Sequence, residues 1–118
     1  MRAVALVPAA GLGERLGGAT PKGLRLLGGL PLLAHAVSAL AAAPSVVQVV
    51  VAAPAGHLGR TQSLLVGHHG DAALVVVEGG PTRAESVGAA LDAVTADVEA
   101  VLVHDAAGPL VPPALVER

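Results

Sequence analysis

The chain has 118 residues, 53% of them hydrophobic, with no Phe, Tyr, Trp or Cys and a formal net charge of −2. These numbers exclude a disordered polypeptide, a disulfide framework and a thiolate metal site, and they give no support for broad nucleic-acid binding. They leave one domain around one core, built from Val, Leu and Ala without the large area that aromatic rings bury.

Residues 3–7 form a continuous apolar run that ends at Pro8, which predicts a buried parallel strand. With Arg2 ahead of it, the run mimics a secretory signal. Pro8 interrupts it, and Glu14 and Arg15 follow closely, so a signal is not expected. Residues 8–22 then read Pro-Ala-Ala-Gly-Leu-Gly-Glu-Arg-Leu-Gly-Gly-Ala-Thr-Pro-Lys. Such a glycine loop lets backbone N–H groups close on phosphate oxygens, where a Cβ would obstruct them. Arg15 and Lys22 supply two cations to neutralise a polyphosphate. A nucleoside triphosphate site is expected here.

Pro31 suits the first turn of a helix, where its missing N–H costs nothing. Leu33, Val37 and Leu40 recur at helical spacing towards Pro44, and residues 46–52 read as a second buried strand rich in β-branched side chains. Between residues 30 and 56 the only ionisable side chain is His35. Hydropathy alone would suggest a membrane span there, but Pro31, Pro44 and Pro54, with Ser45 and Gln48, cut the stretch into pieces too short to cross. No membrane contact is expected, and the absence of Cys fits a reducing cytoplasm. Residues 57–66 predict a short helix. Residues 74–77 predict a third strand that ends at Glu78-Gly79-Gly80. Thr82 and Glu85 match a capping box, with Thr82 as N-cap. Val87, Ala90, Leu91 and Val94 form the apolar face of the helix it opens. Residues 101–103 predict a fourth strand with His104-Asp105 at its carboxyl end, and Pro112 and Pro113 open a further helix.

The pattern βαβαβαβ(α) implies an α/β fold, a mostly parallel sheet covered on both faces. Ligands of such sheets bind beyond the carboxyl ends of the strands. The glycine loop, the Gly79-Gly80 turn and His104-Asp105 all lie there. The loop is not a dinucleotide fingerprint: Leu16 stands where glycine or alanine is needed, and Ala52, Ala53 and Pro54 stand where an acidic residue is needed. It is not a P-loop either, because Lys22 follows Pro21 and precedes Gly23.

What remains is Gly-x-Gly-x-Arg followed by Pro-Lys. Together with Gly79-Gly80-Pro81-Thr82-Arg83-Ala84-Glu85-Ser86-Val87 and Val103-His104-Asp105-Ala106-Ala107, it resembles the 2-C-methyl-D-erythritol 4-phosphate cytidylyltransferase family of the non-mevalonate isoprenoid pathway. The blocks match in order and the resemblance runs through the whole chain. It implies a Rossmann-like three-layer nucleotidyltransferase fold, of which residues 1–118 are the N-terminal part, stopping after the fourth strand. Family members transfer CMP from CTP to a phosphorylated polyol and release pyrophosphate, with Mg²⁺.

By that resemblance, Pro8, Ala9, Ala10, Gly11 and Gly13 hold the ribose and triphosphate. Arg15 and Lys22 are catalytic, stabilising charge on the α-phosphate and the leaving pyrophosphate. Gly79 and Gly80 present backbone groups to cytosine, Ser86 hydrogen-bonds the base, Arg83 binds the nucleotide, and Asp105 binds Mg²⁺ or places the acceptor. Family enzymes continue well beyond residue 118, with more strands, a dimerisation arm, a second metal carboxylate and lysines for the acceptor, and full-length members are expected to be homodimers. Two departures stand out. Gly108 occupies the position of an arginine that helps bind the acceptor phosphate, and Gly23 replaces a larger polar residue.

Plainer readings stand beside these. Arg15 and Lys22 can be solvated charges, Asp105 a cap, Arg83 a partner of Glu85, and Ser86 a surface hydroxyl. His104 and His35 read as structural, His57 as a helix start and Glu14 as a spacer. His68-His69 near Asp71 read as a solvated loop rather than a metal site. Other functions compatible with the pattern are a molybdopterin guanylyltransferase, a sugar-phosphate nucleotidyltransferase, or a noncatalytic nucleotide-binding half-domain.

Overall fold

The computed structural model describes residues 1–10, 26–27 and 30–105. Four strands form one parallel sheet: β1 (Ala3–Pro8), β4 (Val46–Ala53), β5 (Ala73–Glu78) and β6 (Ala100–Val103), in the order β5-β4-β1-β6. Three helices connect or flank them: α1 (Leu32–Ala41), α2 (Leu58–Leu65) and α3 (Arg83–Asp92). Between β1 and α1 the chain also forms a small antiparallel ribbon, β2 (Leu26–Leu27) with β3 (Leu30–Pro31), which periodicity does not reveal. All four expected strands and all three expected helices within the described residues are present. The helix expected at Pro112 and Pro113 lies outside them.

Alternation along the strands divides the core into two layers. Ala5, Val7 and Ala9 of β1 and its extension, with Val49 and Val51 of β4 and Leu102 of β6, meet α1 through Leu33, Val37 and Leu40 and α2 through Leu65. Val4, Leu6, Val50 and Ala52 point the other way, onto Ala90 of α3. Each fully buried Val or Leu contributes about 1.5–3 kcal/mol of transfer free energy, and this core rests on many such side chains rather than on rings.

Local chemistry explains the helix ends. The Thr82 hydroxyl accepts a hydrogen bond from Glu85 N at 3.1 Å, as the capping box requires. Pro31 is the N-cap of α1 rather than a first-turn residue. α2 ends at Leu65, and Gly67 follows with φ +85, a left-handed conformation that glycine adopts without penalty. The buried face of α3 is centred on Ala90, flanked by Ser86 on one side and Val87 and Val94 on the other. At 3.6 residues per turn, Leu91 falls about 100° from that centre and is 50% exposed. The expected apolar face is therefore corrected: Ser86 belongs to it and Leu91 does not.

A buried polar side chain ties the opposite end of the sheet. Gln48 of β4 is 2% exposed. Its Nε2 donates to Thr95 Oγ1 at 2.9 Å, and its Oε1 accepts from Thr95 N and Ala96 N, each at 3.2 Å. The carboxamide thus fastens the segment after α3 to the sheet.

Gln48→Met keeps the volume but leaves these partners unmatched, and is expected to lower stability by about 1–3 kcal/mol in urea unfolding. Gly88 lies within α3, and a Cβ built there meets nothing within 4 Å. Gly88→Ala is expected to raise stability by about 0.4–1 kcal/mol in the same assay.

Candidate functional site

Parallel pairing brings the carboxyl ends of all four strands to one edge. Pro8 of β1 stands opposite Ala52, Ala53 of β4 opposite Glu78, and Leu6 opposite Val103. Backbone bonds carry the ladder past the strands: Ala9 N to Ala52 O at 2.8 Å, Gly79 N to Ala53 O at 2.9 Å, and His104 N to Leu6 O at 3.0 Å. The chain runs outward from β1 through β4 to β5, then returns by α3 to β6 on the far side of β1. The strand order therefore reverses at β1, and the crevice beyond such a switch point is where ligands of open α/β sheets bind.

The turn after β5 is packed into this edge with almost no free space. A Cβ on Gly79 would strike Ala10 Cβ, lie 2.7 Å from Ser86 Oγ and 3.3 Å from Ala52 Cβ. A Cβ on Gly80 would lie 2.6 Å from Glu85 Cβ and 3.0 Å from Glu85 Oε2. Neither residue has a positive φ, so glycine is needed here for close approach and not for an unusual backbone. Ala10, far away in sequence, is thereby brought onto the Gly79-Gly80 turn and Ser86.

Ser86 is completely buried, which overturns its reading as a surface hydroxyl. Its Oγ accepts from Gly80 N at 3.2 Å and donates to Gly80 O at 3.2 Å. The hydroxyl expected on a base is thus bonded to the backbone of Gly80.

Arg83 opens α3, and its Nε donates to Asp105 Oδ1 at 2.9 Å, just beyond β6. Its partner is Asp105 rather than Glu85. The two side chains are 60% and 49% exposed, so solvent screens the pair and it contributes little to stability. Among the described residues no cluster of three His, Cys, Asp or Glu side chains is placed to hold a metal. Asp105 offers a single hard carboxylate. That suits Mg²⁺, which takes one or two carboxylates and fills its remaining positions with phosphate oxygens and water. His69 Nδ1 lies 2.7 Å from Ala72 O, a structural contact within its loop. Gly11, Gly13, Arg15, Lys22 and Gly108 lie outside the described residues. No described helix is long and apolar enough to cross a membrane.

Comparison with known proteins gives these positions a context. The family model for 2-C-methyl-D-erythritol 4-phosphate cytidylyltransferase matches residues 3–118. A protein of that name from Frankia casuarinae is 52% identical over 116 residues, covering 98% of this chain and 42% of its own length. One from Streptomyces coelicolor is 53% identical over 113 residues, covering 94% and 42%. The crystal structure of Francisella tularensis 2-C-methyl-D-erythritol 4-phosphate cytidylyltransferase superposes with a TM-score of 0.66 at 29% identity, covering 91% of this chain and 45% of that one. The chain thus spans under half the length of these relatives.

Sequence reasoning missed the Arg83–Asp105 pair and the burial of Ser86. The first joins residues 22 positions apart. The second was legible only by asking what lies opposite a Gly-Gly turn. Gly79→Ala is expected to cost about 1–3 kcal/mol in thermal unfolding, because Ala10 and Ala52 are too short to move aside.

Proposed function

We propose, because this chain belongs to the 2-C-methyl-D-erythritol 4-phosphate cytidylyltransferase family, that it forms the CTP-binding part of an enzyme that transfers CMP to 2-C-methyl-D-erythritol 4-phosphate. The observation that carries this reading is the meeting of Ala10, Gly79 and Gly80 at the carboxyl edge of the sheet, with Asp105 across the switch point. Small residues there let a base and a ribose approach the backbone closely.

In the reaction an oxygen of the acceptor phosphate attacks the α-phosphorus of CTP. A new P–O bond forms, the bond to the bridging oxygen breaks, and pyrophosphate leaves with its electron pair. The attacking oxygen is already anionic, so no general base is required. Catalysis then consists of positioning and charge stabilisation. Arg15 and Lys22 meet the charge on the α-phosphate and on pyrophosphate. The backbone from Pro8 to Gly13 holds ribose and phosphates, and Gly80 meets the cytosine edge. Asp105 would hold Mg²⁺, which when bound neutralises phosphate charge. Arg83 keeps that carboxylate at the mouth of the crevice. A reducing cytoplasm suits a chain without cysteine.

Titration of the ¹⁵N-labelled chain with CTP and Mg²⁺, and then with GTP, tests the reading. CTP-selective shifts at Gly79 and Gly80 are expected. GTP preference would point to a guanylyltransferase, and no response to either would point to a decayed or differently specific domain. In the CMP-transfer assay on the whole protein, Arg15→Ala is expected to lower kcat by about 10²–10³, the scale of losing one preorganised charge donor.

A further inference from the structure

At the edge of the sheet opposite the crevice, an open cleft of about 470 Å³ lies between the end of α1, the start of β4 at Val46 and Val47, and Asp71 and Ala72 just before β5. β1 and β4 are parallel neighbours, so α1, which joins them, runs back along the sheet and ends where β4 begins. Its last turn, with Ala41 and Ala42, and then Pro44 form one wall of the cleft. No residue assigned to the crevice lies there.

Three acceptors of this cleft have no donor among the described residues. Ala43 N–H closes onto Leu40 O at 3.2 Å. The next bond in that series, from residue 44 to Ala41 O, cannot form because Pro44 has no N–H. Val46 N–H goes to Ala43 O at 3.0 Å. The carbonyls of Ala41 and Ala42 are thus left without a backbone donor, at the negative end of a helix of 10 residues. α1 carries no basic residue in its last turn to answer them. The third acceptor is the Asp71 carboxylate, which has no ion pair or hydrogen bond with a described residue. Gly70, with φ +53, brings its loop against the helix, and a Cβ built on it lies 3.9 Å from both Ala41 O and Ala41 Cβ. His69 is engaged with Ala72 O at 2.7 Å and does not pair with Asp71.

We propose that this cleft is a binding site for a small aliphatic primary amine in its ammonium form. An ammonium group brings three N–H donors and no acceptor, to a cleft with two open carbonyls and one carboxylate. The hydrocarbon stem lies along the alanine, valine and proline carbons, as lysine stems lie along apolar surface. An anion is disfavoured by Asp71 and by the helix end alike. A hard divalent cation wants a larger set of oxygens than one carboxylate and two carbonyls supply, and no cluster of three metal-ligating side chains is present among the described residues. The site stands apart from the nucleotide reading and does not depend on it.

The test titrates the ¹⁵N-labelled full chain with n-pentylammonium chloride at constant ionic strength. Saturating amide shifts are expected at Ala41, Ala42, Val47, Asp71 and Ala72, with Gly79 and Gly80 unmoved. Two further probes separate the parts of the ligand: n-pentanol has the stem without the charge, and tetramethylammonium has the charge without an N–H. Both are expected to bind at least about tenfold more weakly, the scale of a hydrogen bond to a charged group. Asp71→Asn is expected to weaken n-pentylammonium binding by a similar factor. Ala42→Lys, which supplies an ammonium from the helix end itself, is expected to abolish it. An absent or unsaturable response in the wild type would overturn the proposal, as would shifts scattered over every acidic residue. Equal binding of n-pentanol would reduce the cleft to an apolar dent, and equal binding of tetramethylammonium would show that the carbonyls take no part; either result overturns it. So does unchanged affinity in Asp71→Asn, and if that variant does not fold, unchanged affinity in Ala42→Lys decides against the site in its place.

Discussion

The two-sided parallel pairing of β1 is the constraint from which the rest of the molecule follows. All six of its residues are buried, and it is hydrogen-bonded to β4 on one edge and β6 on the other. Parallel strands held in register end at a common level. The residues that follow them, Ala9, Gly79 and His104, are therefore delivered to one line by the sheet itself. A slip of one residue would turn Val4 and Leu6 towards α1 and α2 and send Ala5 and Val7 to α3. The two faces have different partners, so the register that builds the core also builds the crevice.

Much of this was legible in the residues. Apolar runs of Val, Ala and Leu at positions 3–7 and 46–52, the second interrupted only at Gln48, mark buried parallel strands, since both of their faces are covered. Thr82 and Glu85 mark a helix start because their spacing is set by backbone donors. The convergence of three distant segments follows from the direction of parallel strands. What stayed hidden depends on partners brought together by folding. Gln48 reads as a polar interruption of an apolar strand, yet it is a hydrogen-bonded link to Thr95 and Ala96. Ser86 counts as polar in any periodicity and so shifted the expected face of α3 towards Leu91. The hydroxyl is buried because Gly80 satisfies it, a fact no window of local sequence contains. The β2–β3 ribbon is two residues wide on each side, too short for a periodic signal.

The rim of the crevice and its base are built by opposite means. At the carboxyl edge several described residues are small: Ala9, Ala10, Ala52, Ala53, Gly79 and Gly80. Backbone groups can then be the reading surface, and their geometry is set by packing rather than by rotamers. At the far end of the sheet Gln48 closes the structure with three hydrogen bonds from one side chain. The charged pair at the mouth, Arg83 with Asp105, is exposed and loosely held by comparison. An exposed pair exchanges partners at little cost, so these charges are suited to answer a charged ligand where the buried amides are suited to select one.

A core of methyl groups without a single aromatic ring has a spectroscopic consequence. Aromatic rings displace the resonances of nearby protons through their circulating π electrons, and this chain has no Phe, Tyr or Trp to do so. Apart from its few imidazoles, its methyl spectrum is free of that influence. A heterocycle seated at the carboxyl edge would bring the dominant ring into the complex. The Ala9, Ala10 and Ala52 methyls would then report, by the sign and size of their displacement, which face of the ring each of them sees.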